Sequence, residues 1–205
     1  IVFCGINDFK PGMLKGLKNI TGVAQNMDPG GTLEIMLALH PGLKDVLVIN
    51  DDTMTGLSLR REMDSLALQY AGRINIIHSE SVSFPELEKQ LAVLPETTLV
   101  LLQSYTKDAR GTVYDWRDVT TKITRASRVP VFGVHTERLG MGIVGGKLLD
   151  GREHGRQAAA IALRILAGEN PGQIPVVTQS SARAMFDYLV MSRFQMPMST
   201  FWSRS

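Results

Sequence analysis

Two carboxylates, Asp51 and Asp52, follow the apolar run Val46–Asn50, and an imidazole and a hydroxyl, His135 and Thr136, follow Val131–Val134. Ligand groups of an open α/β sheet sit at the carboxyl ends of its strands, so both sets stand where small-molecule contacts would be made. An acidic pair at a strand end is also half of a magnesium-dependent phosphoryl-accepting site. That chemistry needs a further Asp after the third strand and a Lys after the fifth, where this chain has Gln103-Ser104-Tyr105 and His135-Thr136. The pair then has two readings, a helix N-cap favoured by the helix dipole or a ligand contact. His135 reads as a cleft contact or a solvated turn, and Tyr105 as packing or a ligand platform at the sheet edge.

Other chemistries fail on spacing or context. Gly140-Met141-Gly142-Ile143-Val144-Gly145 has dinucleotide-fingerprint spacing. No helix opens at its third glycine, because Lys147-Leu148-Leu149 continues an extended pattern, and no acidic residue follows at a strand end about 20 positions on. Tight turns and a hinge explain these glycines. The four histidines, His40, His78, His135 and His154, lack metal-ligand spacing; His40 and His78 read as structural. No serine occupies a nucleophile elbow, and Cys4 has no base near it in sequence. No catalytic residues, metal or cofactor are expected, and the domain reads as a non-enzyme.

The elements that would position these groups alternate. Extended runs are predicted at Ile1–Ile6, Val46–Asn50, Ile74–His78, Thr98–Gln103, Val131–Val134 and Ile174–Thr178. Helices are predicted at Thr32–His40, Thr55–Tyr70, Ser83–Leu94, Val113–Ala126 and Gly151–Ala167. Ser83-Phe84-Pro85-Glu86 is a capping box, and Gly168 is the expected C′ residue of the last helix. Asn7–Gly31 reads as a turn-rich connection, and the region from Met185, which includes Phe201 and Trp202, as a poorly periodic tail. Strands alternating with helices predict a mostly parallel sheet. The single cysteine excludes an internal disulfide and is expected to be a buried structural thiol. A net charge of +2 with scattered Lys and Arg argues against nucleic-acid binding. No apolar run reaches the ~18 residues of a membrane span. A start without Met, directly in a strand, predicts an excised or processed segment.

Several motifs together resemble the type I periplasmic binding proteins of the ABC-transporter substrate-binding family, closest to the extracytoplasmic sensor domains of bacterial histidine kinases and diguanylate cyclases. They are Val2–Asp8, Asn19-Ile20-Thr21-Gly22-Val23-Ala24, Leu39-His40-Pro41 before Asp45–Asp51, Gly142–Gly146 leading into Gly151–Ala159, Ile165–Glu169, and Ile174–Val177.

The resemblance implies an α/β, periplasmic-binding-protein-like fold with mostly parallel sheets flanked by helices and a first lobe that is incomplete in this chain. Residues 1–30 would end the first lobe and cross over, 31–136 would form the second lobe, and 137–205 would return to the first lobe and finish in the tail. Ligand would bind between lobes and close them by its greater affinity for the closed state. The implied contacts are Asn7 and Asp8 on the crossover side, with Asn50, Asp51, Asp52, Ser104, Tyr105, His135 and Thr136 on the second lobe. This mixture suits a small polar ligand such as an amino acid, a sugar or an organic acid. The implied role is the sensor part of a membrane-anchored signal-transduction protein, periplasmic or extracytoplasmic, with a homodimer as one assembly. The alternatives are a transporter's solute-binding protein and the effector domain of a lactose-repressor-like transcription factor.

Overall fold

A computed structural model describes residues 1–197 of the 205; Phe201 and Trp202 lie outside the described residues. The centre is a four-stranded parallel sheet in the order β4-β3-β5-β6, made of β3 (Asp45–Asn50), β4 (Asn75–His78), β5 (Thr98–Ser104) and β6 (Val131–Gly133). Its inner strands are apolar at every central position because both faces are covered. Val46, Val48, Leu99 and Leu101 point to one face, where they meet Leu33 and Met36 of α1 (Pro29–Leu39) and Leu59 and Met63 of α2 (Met54–Gln69). Leu47, Ile49, Val100 and Leu102 point to the other, against Leu87 and Leu91 of α3 (Phe84–Ala92) and Val119 and Ile123 of α4 (Trp116–Ala126). Each such side chain contributes about 1.5–3 kcal/mol by leaving water.

Two smaller sheets complete the fold. β1 (Val2–Asn7) pairs in parallel with β2 (Thr21–Gln25), and β7 (Gly145–Leu148) pairs antiparallel with β8 (Arg183–Phe186). Helix α5 (Gly151–Leu166) packs on β1 and β2 through a separate small core of Val23, Ile161 and Ile174. A short helix, α6 (Tyr188–Arg193), follows β8. The glycine-rich stretch is a turn and a strand: Gly140 and Gly142 have φ of 78° and 95°. A Cβ on Gly146 would lie 2.5 Å from the Gly133 carbonyl oxygen, so β7 approaches β6 only with glycine there.

The capping box at Ser83 and the αL glycine at Gly168, φ 100°, are present as expected. Five expectations need correction. Cys4 is exposed rather than buried, because β1 belongs to a two-stranded sheet in which β2 is its one partner among the described residues, so one edge of it is open. The connection Asn7–Gly31 contains a full strand, β2. Ile174–Thr178 is not a strand: it makes one bridge, Val177 with Val23, since Pro175 has no N–H to continue a ladder. The stretch from Met185, read as a poorly periodic tail, contains the end of β8 and then α6. Tyr114 precedes α4 instead of lying in it, because Asp115 caps that helix by accepting from Arg117 N at 2.8 Å.

Candidate ligand-binding site

Two parallel strands bring polar side chains to one edge. Asn7 of β1 stands opposite Gln25 of β2, and the chain continues from each into Asp8 and Asn26. Asp8 adopts φ 51°, a left-handed conformation that Asp tolerates better than most residues, and its carboxylate lies 3.5 Å from Lys10 Nζ. Helix α2 faces this edge with Ser58, Arg61, Glu62 and Ser65, and the two sides enclose a cleft of about 400 Å³. That is the size of a small-molecule site.

Several cleft groups have unused hydrogen-bonding capacity. Asn7 Oδ1 is buried without a partner. Among the described residues the side chains of Arg61 and Glu62 make no hydrogen bond or ion pair. Burial, and then the nearby Asp8 and Asp28 carboxylates, push the Glu62 carboxyl above its ordinary range. The cleft thus offers an amide oxygen, a guanidinium and a carboxylate that protein groups leave free.

The carboxyl ends of β3 and β5 form a second polar edge. Asn50 Nδ2 donates to Gln103 Oε1 at 2.7 Å, and its Oδ1 accepts from Ser104 N at 3.2 Å. Ser104 in turn accepts from Asp51 N through its carbonyl at 2.8 Å. Asp51 is not the N-cap of α2, which is Thr53. It is only 4% exposed, and its carboxylate accepts from the backbone N–H and hydroxyl of both Thr53 and Thr106. It ties two turns together, while Thr53 serves as the N-cap of α2, accepting from Gly56 N at 3.2 Å. Asp52 is exposed and accepts from the Ser81 hydroxyl.

Tyr105 is buried against Phe84 and Tyr114, with ring centroids 6.0 and 6.5 Å away. Its hydroxyl is buried without a partner, and burial raises its pKa. Outside these groups opens a hollow of about 390 Å³ bordered by Asp52, Thr53, Ser81, Lys107 and Arg110.

His135 and Thr136 lie on the segment that returns from β6. Thr136 N donates to Leu149 O at 3.1 Å and begins a 3-10 turn, Thr136–Arg138. Arg138 is buried and donates to the Thr120 hydroxyl and to Gln103 O. Burial lowers its pKa to about 10. Burial, and then the Arg138 charge, lower that of His135.

Asn7 and Asp8 therefore share a cleft with Gln25, Asn26, Arg61 and Glu62, while Asn50, Asp52, Ser104 and Tyr105 belong to the β3–β5 edge. Sequence alone does not mark Gln25 and Asn26, because the strand ahead of them reads as connection; Thr21-Gly22-Val23-Ala24 is the signal for it. Arg61 and Glu62 lie mid-helix, where charge ordinarily indicates a solvated face.

The family model described as ABC transporter substrate binding protein matches residues 6–193. The chain belongs to this family. No curated protein matches it. Among solved structures it is similar to the ABC domain in complex with L-Trp from Streptococcus pneumonia, with TM-score 0.69, 15% identity and 98% of this chain covered. It is also similar to a ligand-free, open substrate-binding protein with adhesive properties from Clostridium difficile, with TM-score 0.67, 14% identity and 91% covered. A conserved domain protein from Vibrio cholerae O1 biovar El Tor gives TM-score 0.66, 18% identity and 90% covered. The chain spans 68%, 63% and 61% of these three proteins, respectively. At these identities the likeness shows the fold, a periplasmic-binding-protein-like α/β architecture. No helix among the described residues is long and apolar enough to cross a membrane.

Proposed function

We propose that this substrate-binding domain takes a small polar ligand in the cleft between the β1–β2 edge and α2, and that it acts outside the cytoplasm by closing on that ligand. The observation that carries this reading is the set of free groups on the two cleft walls, Asn7 on one and Arg61 and Glu62 on the other. A zwitterion fits them: its ammonium group balances Glu62 and Asp8, and its carboxylate meets Arg61. A sugar or an organic acid would use the same amides with one of the two charges. A ligand held by both walls binds the closed arrangement more tightly than the open one, so it shifts the population toward closure. The domain's work is then binding and release, without turnover.

Family membership supports delivery to an ABC permease as the destination of the closed form. In a signal-transduction protein the same closure would instead move a membrane-anchored partner segment, and the flanking gene sequence decides between the two.

The test is a thermal-shift screen of amino acids, sugars and organic acids, since a ligand of the native state raises the melting temperature. Calorimetry then follows on the best hit with Asn7→Ala and Glu62→Gln. Each variant is expected to weaken binding about tenfold, the effect of losing roughly one hydrogen bond to a charged or buried group. Unchanged affinity in both would move the site elsewhere.

A further inference from the structure

The strand that delivers Asn7 to the cleft is irregular. The β1–β2 pairing runs Cys4 with Val23, then Ile6 with Ala24 and Asn7 with Gln25, so Gly5 is an extra residue in a bulge. Its φ is 80°, in the region that favours glycine. A bulge shifts every later side chain by one position along the pleat. Without it, Gly5 would stand opposite Ala24 and Ile6 opposite Gln25. The cleft would then present an isoleucine where it now has the Asn7 amide.

The bulge frees the Gly5 N–H from the ladder, and one side chain receives it: Gly5 N donates to His154 Nε2 at 3.1 Å. His154 lies in the first turn of α5 and is only 7% exposed. Among the described residues this is the ring's one hydrogen bond. We propose that His154 is a positioning residue for the ligand cleft, and that its protonation releases the Gly5 bulge and withdraws Asn7 and Asp8 from their binding positions. The inference rests on the reading of that cleft as the ligand site.

The chemistry is simple. A neutral imidazole can accept at Nε2; an imidazolium has a hydrogen on both nitrogens and accepts at neither. Protonation sets two N–H donors against each other in a buried place.

The charged surroundings offer no relief. The only titratable group on β1 and β2, against which α5 packs, is Cys4. On α5 itself Glu153 is held by Arg156 at 2.6 Å, and the Asp150 carboxylate caps the helix. Beyond them, Asp8 pairs with Lys10, Glu137 accepts from Gly151 N, and Lys147 and Arg183 lie on β7 and β8. None is hydrogen-bonded to the ring. Burial lowers the His154 pKa, so the neutral, accepting form is the one present at pH 7. The bond is lost as pH falls through that lowered value, which lies below the unperturbed value of about 6.5.

The test follows the backbone amides of Gly5, Asn7 and Asp8 and the ring carbons of His154 by NMR from pH 8 to pH 5 on the ligand-free chain. In the wild type all three amides are expected to shift with the apparent pKa of the His154 ring, below 6.5. In His154→Gln, whose amide oxygen can accept from Gly5 N–H without titrating, the transition with the His154 midpoint is expected to be absent from the three amide profiles. Asn7 and Asp8 amides that ignore the His154 titration in the wild type would overturn the proposal. So would amides that keep the transition at the wild-type His154 midpoint in the glutamine variant. The wild-type titration decides the question alone if that variant does not fold. Because no ligand is present, failure here is distinct from failure of the binding experiment.

Discussion

Asp51 receives two hydrogen bonds from Thr106, one from its backbone N–H at 2.7 Å and one from its hydroxyl at 2.9 Å. The pair joins the turn after β3 to the turn after β5 across the edge of the central sheet. With the two bonds from Thr53, the carboxylate is fully engaged by protein. Its truncation is therefore a stability change. Asp51→Ala is expected to cost about 3 kcal/mol, because buried donors lose a charged acceptor, and to lower the melting temperature by roughly 6–12 °C. Thermal melts measure this, and a drop under about 2 °C would show that solvent replaces the carboxylate.

Tyr105 gives the opposite expectation. Its ring is packed and its hydroxyl is buried without a partner, so the hydroxyl carries a desolvation cost with no bond to offset it. Tyr105→Phe should melt at the same temperature or slightly higher. If ligand affinity nevertheless falls in calorimetry, the hydroxyl meets ligand in the closed state.

Glu62 makes the cleft sensitive to acid. Its folded pKa is raised above the unfolded value by burial, Asp8 and Asp28, so the folded state binds more protons between the two values. Wild-type stability therefore falls relative to a neutral analogue as pH rises through that window. Glu62→Gln is expected to melt higher at pH 7, by roughly 1–2 °C after allowance for solvent screening. The two proteins should melt together at pH 4, and a gap that persists there would remove this electrostatic account.

Gly146→Ala tests the close approach of β7 and β6. The new methyl would press on the Gly133 carbonyl and on Thr32 at a φ of 147°. A cost above about 2 kcal/mol is expected, measured by urea denaturation.

What could be read beforehand depended on how local the signal was. The four central strands and the five long helices were visible because Val46–Asn50 and Thr98–Gln103 are uninterrupted apolar runs and because Ser83 and Gly168 mark helix ends. β2 was hidden because Gly22 and the turn residues around Thr21–Gln25 look like loop; the glycine is required because a Cβ there would lie 2.2 Å from the Phe3 carbonyl oxygen. β8 was hidden because Arg183–Phe186 is largely exposed and lacks a periodic face. The polar strand ends were found by position alone. Position could not separate Asp51, whose oxygens are used by two threonines, from Asn7, whose oxygen is not. Nor could it assign a role to Arg61, Glu62 or His154, which depend on which helix faces which strand.

The exposed thiol of Cys4 has a practical side. It is the chain's single cysteine and lies next to Gly5 on the strand that leads into the cleft. A maleimide fluorophore would attach at one known position without mutagenesis. Its emission would report on that strand in real time, turning an unadorned preparation into its own optical sensor.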